Sequence, residues 1–335
     1  MTSTSAPKDC QAIDQSSAPG TGHEERLTHS LIELMANGVN PWRKPWNPNR
    51  GGSHRNLVTG HHYTGGNPVL LEMQMAARGS ELPLWLGYNQ AKEQGWSPHK
   101  GSKACIIIRP QFNQYEELDA DGNPQRDANG EPVITTWVSY KPAAVFNAAD
   151  LHGDGIEKAI TKALGDVKPV PESQRLAEAR AVLQAWPVPV IYGTDCACYI
   201  PALDRIQLPT AGSFHSHEAF LATHAHEAIH STGAAKRLNR DGVARRHSFG
   251  SEAYAKEELI AELGAFLLTQ RLGIGSNSEN HAAYLHHWIQ ILQESPRILF
   301  RLLSDATKAA DLIASSVSQT AAVKGPKPSP ILVRS

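Results

Sequence analysis

The chain has 335 residues, 41% hydrophobic and 19% charged, with a formal net charge of -1. That composition describes a soluble globular protein with room for two domains, and it excludes a disordered chain and a membrane-spanning one. A near-neutral total gives no bulk field toward nucleic acid, so any such role must come from local charge.

Four cysteines, Cys10, Cys105, Cys196 and Cys198, match neither a zinc-ribbon spacing nor a secreted disulfide framework, and a reducing cytoplasm is the expected compartment. Residues 1–22 lack an apolar stretch and read as a disordered leader, neither signal peptide nor anchor. Leu27, Leu31 and Leu34 then recur at helical spacing, and Gly38 ends a helix begun at Glu24. From Asn40 to Gly66 the chain is rich in Pro, Gly and Asn, yet it carries large aromatics. Asn67-Pro68 offers an N-cap and a first-turn proline for a helix through Ala77, and a short helix is expected over Asn89 to Gln94. Ala104 to Ile108 and Val133 to Tyr140 read as the strands of a hairpin joined by the acidic, turn-rich segment Glu116 to Pro132.

The boundary between domains is placed at residue 155, giving 23–155 and 156–318, with 319–335 as a disordered tail. The second part opens with a weak helix over 156–164 and a helix from Pro171 to Trp186. Short strands follow at 188–192, 196–200 and 204–208, and then helices at 216–232, 253–272, 280–293 and 296–315. The expected class is α+β: a mixed α/β domain followed by a mainly helical one with a small sheet.

The sharpest motif is His226-Glu227-Ala228-Ile229-His230. Two histidines four apart project from one helix face and can share a tetrahedral zinc ion, Zn2+. Glu227 on the adjoining face can take the proton of a water polarised by the ion and pass it to a leaving amine. Leu221, Ala225 and Ile229 form the opposite, buried stripe. The third ligand is sought on the next helix, where Glu258 and Glu262 share a face: Glu258 is assigned as the ligand and Glu262 as the group orienting a ligand histidine. Tyr254, His247 and Arg246 are the candidate oxyanion donors, and the sequence does not choose among them. His215, His217 and His224 read as solvent-facing or capping groups, and Cys196 and Cys198 as packing residues rather than ligands.

Between Asn40 and Pro110 nine basic residues face three acidic ones, interleaved with Trp42, Trp46, Trp85, Trp96, Tyr63 and Tyr88. Single-stranded nucleic acid asks for cations for phosphates and flat rings for unstacked bases. Trp42, Arg43, Lys44, Trp46, Arg55, Tyr63, Lys100 and Lys103 are the candidate contacts. Tryptophans anchor loops in a core equally well, and composition leaves the two readings level.

The run Gly38-Val39-Asn40-Pro41-Trp42-Arg43-Lys44-Pro45-Trp46, with Asn56-Leu57-Val58-Thr59-Gly60 and Tyr63-Thr64-Gly65-Gly66-Asn67, resembles the N-terminal domain of ArdC-type antirestriction proteins. The likeness continues through Asp204 to Pro209, the histidine motif with Thr232-Gly233, Arg237-Leu238-Asn239-Arg240, Gly250 to Tyr254 and Glu257 to Leu263. It implies a single-stranded-DNA-binding domain joined to a zincin-like metallopeptidase domain, and the glutamate assigned from helix spacing as the third ligand makes the expected site gluzincin-like. It also implies protection of incoming plasmid or phage DNA from host restriction. The chain departs from the family pattern at Gly95-Trp96, where a glycine pair is usual, and in an expanded acidic loop at 116–132.

The expected partners are single-stranded DNA and a host restriction or regulatory protein, with no membrane. A different class of function is a regulatory metalloprotease that cleaves a host repressor or restriction subunit. A third is a primase-associated DNA-binding protein whose metal is structural.

Overall fold

The leucines spaced for a helix line the buried side of α1 (His23–Ala36) in the computed structural model, which describes residues 22–42, 53–118, 123–165, 170–245, 247–248, 250–276 and 285–323. Gly38, at φ 74°, ends the helix in a left-handed turn that glycine adopts without a Cβ penalty.

The N-terminal half is built on a four-stranded sheet. β1 (Arg55–Asn56) runs parallel to β2 (Leu84–Leu86), which pairs antiparallel with β5 (Ile134–Asn147), and β5 pairs antiparallel with β4 (Cys105–Glu116). α2 (Asn67–Arg78) packs against β4. Asn67 does not cap this helix. Gly66 takes that position, while the Asn67 side chain donates to the Ile108 carbonyl at 2.8 Å and accepts from the Ile108 N–H at 2.8 Å. Gln74, seven residues on, does the same for Ile106, at 3.0 and 2.8 Å. Two amide side chains thus satisfy the open edge of β4, which would otherwise be a template for foreign strands. α3 (Tyr88–Glu93) and the small ladder between β3 (Ser97–Pro98) and β6 (Leu151–His152) complete this half.

The hairpin is longer than expected. The strands expected over 104–108 and 133–140 run on through Pro110 and Pro142, and β4 and β5 stay in register from Cys105↔Val145 to Glu116↔Ile134. Among the described residues β5 meets β2 only at Phe146 and Asn147, so along most of its length one edge has no strand beside it and a missing proline donor is tolerated.

α4 (Ile156–Gly165) packs back on the N-terminal half, where Ile156 and Ile160 join Leu84, Leu86 and Trp96. In the C-terminal half, α5 (Glu172–Ala185) leads into a three-stranded sheet of order β7 (Val190–Tyr192), β9 (Arg205–Leu208), β8 (Cys198–Ile200), with β8 at one edge. Helices α6 (His217–Thr232), α7 (Asp241–Ala244), α8 (Glu252–Leu272), α9 (Leu285–Glu294) and α10 (Ile298–Val323) follow. α10 runs past the expected end at Ser315 and through the first residues assigned to a disordered tail. The apolar runs Leu259 to Leu268 and Leu302 to Ile313 place α8 and α10 side by side at the centre.

Leu31, Leu70 and Met73 from the first two helices join the same apolar cluster as Leu259, Phe266 and Leu303. Trp42 is part of it. Its ring is 1% exposed and lies 6.2 Å from that of Trp288, and its carbonyl accepts from Ser276. Trp42 therefore anchors the core and has no face for a base. No helix among the described residues is long and apolar enough to cross a membrane.

Candidate metal centre and cleft

α6 begins where the Ser216 hydroxyl accepts from the Ala219 N–H at 3.0 Å, and Ser251 caps α8 by accepting from the Tyr254 N–H at 3.3 Å. Leu221, Ala225 and Ile229 are fully buried, which turns the opposite face of α6 toward a cleft. The two helices come close because Gly264 of α8 lies under Ile229: a Cβ there would stand 2.8 Å from Ile229 Cγ2. A glycine at the crossing is what brings the carboxylates of α8 within reach of the histidines of α6.

Ligand atoms of His226, His230 and Glu258 all lie within 4.8 Å of one another. The two Nε2 atoms are 3.1 Å apart, and each is 3.6 Å from a Glu258 oxygen. His230 Nδ1 donates to Glu257 Oε1 at 3.1 Å, which leaves Nε2 with its lone pair facing inward. His226 Nδ1 faces Glu262 Oε1 at 3.9 Å. Glu257 is itself gripped by Arg240, whose Nε donates to Oε2 at 2.9 Å and whose Nη2 donates to Oε1 at 2.6 Å. The same guanidinium reaches Thr232 Oγ1 and the Ile229 carbonyl, tying the end of α6 to α8.

Glu227, Glu257, Glu258 and Glu262 are all buried, and the positive charge set against them comes from Arg240 on Glu257 and from the imidazoles of His226 and His230. Buried negative charge in this excess is costly unless a cation neutralises it. Burial alone would raise the Glu258 carboxyl, but His230 and His226 hold it well below the usual carboxylate range. Burial likewise pushes His230 down, and Glu258 and Glu257 outweigh it and raise the imidazole well above its ordinary value. Two imidazoles and a carboxylate on a shared point, with each imidazole backed by a further carboxylate, fit a divalent ion of the zinc kind.

The centre opens on a cleft of about 1150 Å³. Glu227 lines it, as do Cys198, Tyr199 and Ile200 of the outer strand β8 on the facing wall. Tyr254 and His247 also line it, and His247 Nε2 is 3.1 Å from Asp241 Oδ2. Arg246 lies outside the described residues. Cys196 and Cys198 border the cleft without joining the ligand set, and burial together with the neighbouring Cys196 pushes the Cys198 thiol up to about 11. His215 and His217 are exposed, as expected, but His224 is 2% exposed and burial lowers it to about 4: it is a neutral core group.

Sequence spacing found the triad and Glu262, but it missed Glu257 and Arg240 as the support of His230. Only the run from Arg237 to Arg240 pointed there, and nothing in its spacing says that Arg240 turns inward.

The basic stretch divides. Arg55 is buried and donates to the Ala163 carbonyl, so it ties β1 to α4 rather than facing a ligand. Tyr63 is half-buried against the cluster of Leu71 and Trp85, and burial raises its hydroxyl. Lys100 and Lys103 are exposed, whereas Arg43, Lys44 and Trp46 lie outside the described residues.

A family model described as the N-terminal domain of anti-restriction factor ArdC matches residues 22–146, and one described as a zincin-like metallopeptidase matches 177–305. The chain is 37% identical over 303 residues to a DNA primase TraC of Escherichia coli, covering 86% of itself but only 27% of that protein. It thus spans about a quarter of that relative. The crystal structure of the antirestriction ArdC protein from plasmid R388, in metal-free form, superposes with a TM-score of 0.63 at 28% identity, covering 89% of this chain and 99% of that one. The Mn(II)-bound form of the same protein gives 0.62 at 26% identity, over 89% and 99%. Both halves, in this order and on this fold, make the chain a member of the ArdC type.

Proposed function

We propose that the chain is a cytoplasmic antirestriction protein of a mobile element that binds single-stranded DNA with its N-terminal half. Its C-terminal half holds Zn2+ on His226, His230 and Glu258 and cleaves a host restriction or regulatory protein. The observation that carries this reading is the convergence of those three side chains beside Glu227 in an open cleft.

The ion supplies Lewis acidity toward a peptide carbonyl and a water. Glu227 takes the proton of the attacking water and delivers it to the leaving amine. Glu257 and Glu262 orient His230 and His226, and Arg240 keeps Glu257 ionised. Tyr254 and His247 border the same cleft and are the donors for the oxyanion. An extended substrate segment pairs with the outer edge of β8, whose backbone has a neighbour only in β9.

For DNA, support comes from exposed Lys100 and Lys103 and from Arg109 and Lys141, which are register partners across β4 and β5. Like charges directly opposite each other are unfavourable unless an anion lies over them.

The test compares three proteins. Wild type and Glu227→Ala retain one zinc per chain by elemental analysis, and His226→Ala loses it. Restriction protection that survives Glu227→Ala would move the function from cleavage to docking, and a wild type that fails to shift single-stranded oligonucleotides at moderate salt would remove the DNA half.

A further inference from the structure

β4 and β5 leave the body of the protein as a two-stranded arm. Eight register pairs, from Arg109↔Lys141 to Glu116↔Ile134, continue past Ile108, the last residue of β4 that packs on the core. At about 3.4 Å per residue the arm projects roughly 27 Å. Phe112 is 72% exposed, Leu118 61%, Tyr115 51% and Ile134 48%, so large apolar groups that a monomer would cover are concentrated on this arm. Phe112 points to the same side as Ile134, because Ile134 stands opposite Glu116, four residues further along the same strand face.

The charge around these groups is acidic. Glu116, Asp127 and Glu131 are exposed and Glu117 is half-buried, against Arg126. A phosphate backbone would be repelled there, whereas a protein surface with lysines would not. The body of the N-terminal half offers such a surface where α3 meets β3: Lys92, Lys100 and Lys103 are exposed there against Glu93, and Tyr88, 54% exposed, sits one helical turn from Lys92. The continuous ladder keeps the arm from folding back on its own body, and like-charged tips repel one another.

We propose that the arm of one copy docks on the lysine face of a second copy, burying Phe112, Leu118 and Ile134. The contact is head-to-tail and leaves a free arm and a free face at the two ends, so it extends into short chains of molecules. Lys100 and Lys103 are also the lysines offered to DNA, so an oligonucleotide and a second copy compete for them, and the contact does not depend on peptidase activity.

Sedimentation velocity of the full chain tests this. At low salt the average mass rises with concentration up to about 100 µM, and it falls toward that of the monomer in about 0.5 M salt, where the screening length is only a few ångströms. Phe112→Ser with Leu118→Ser weakens association about tenfold or more while zinc content stays that of wild type. Glu116→Lys with Glu131→Lys, and Lys100→Glu with Lys103→Glu, each lose self-association, and the two variants mixed together regain it. A protein that stays monomeric at low salt overturns the proposal, as does an oligomer indifferent to the arm substitutions or a mixture that does not reassociate. Arm variants that remain monomeric like wild type but lose oligonucleotide binding would assign the arm to nucleic acid instead.

Discussion

The metal centre and the basic N-terminal stretch were both read from residue type and spacing, and they fared differently. At the centre, two histidines four apart on a helix share a face by the geometry of the helix itself, and the structure brings their Nε2 atoms to 3.1 Å. In the N-terminal stretch no periodicity links one aromatic or cation to the next. There the fold sent Trp42 and Arg55 inward and left Lys100 and Lys103 outside. Spacing on a regular element is a three-dimensional statement, whereas composition along loops is not.

The sharpest way to break this comparison is Trp42→Ala. A core anchor predicts a loss of about 3–5 kcal/mol in urea unfolding, with oligonucleotide affinity retained by the fraction that stays folded. A base-stacking role predicts the reverse, unchanged stability and weak DNA binding.

Next in size is Glu257→Gln, which keeps the shape but loses the charge that faces His230 and Arg240. Metal affinity should fall by about 10- to 100-fold in competition with a chelator. Unchanged affinity would mean that the His230 ring is oriented by packing alone.

Asp204 gives a smaller effect with a pH signature. Arg237 holds its carboxyl well below the usual carboxylate range, with Lys236 at 2.6 Å and Tyr199 at 2.7 Å adding to it. The folded pKa lies below the unfolded one, so the contribution is full above about pH 4 and is lost as the pH falls toward the folded value. Asn tolerates the left-handed backbone at φ 45° as Asp does, so Asp204→Asn isolates the charge. The variant should be about 1–2 kcal/mol less stable at pH 7, with the difference closing below pH 4. A difference that persists in acid would place the effect in packing.

The smallest effect belongs to the exposed lysines. Lys100→Ala and Lys103→Ala should each weaken oligonucleotide binding by a modest factor and lower the slope of log affinity against log salt by about 1 at most. A slope that does not move would remove both from the DNA surface.

Much of the fold was legible, because α1 and α2 carry apolar periodicity, α6 and α8 carry long runs of helix-forming apolar residues, and all four have caps or glycine stops at their ends. The length of β4 and β5 was not, since prolines end a strand only where both edges are paired, and pairing is a tertiary fact. The role of Asn67 was misplaced for a related reason: its amide is used by the backbone of Ile108, 41 residues away, not by its own helix.

By itself the sequence determined that a helix would present His226, Glu227 and His230 together, and that a second helix would carry Glu258 and Glu262 on one face. The helical repeat acts within a few residues and is written in their order. Tertiary structure alone decided that Glu257 and Arg240 would stand behind His230, that Trp42 would close a core against Trp288, and that the outer two thirds of a hairpin would stand clear of the body. Those outcomes depend on which segments meet across long stretches of chain, where the free energy of burial and the close approach allowed by residues such as Gly264 choose the partners.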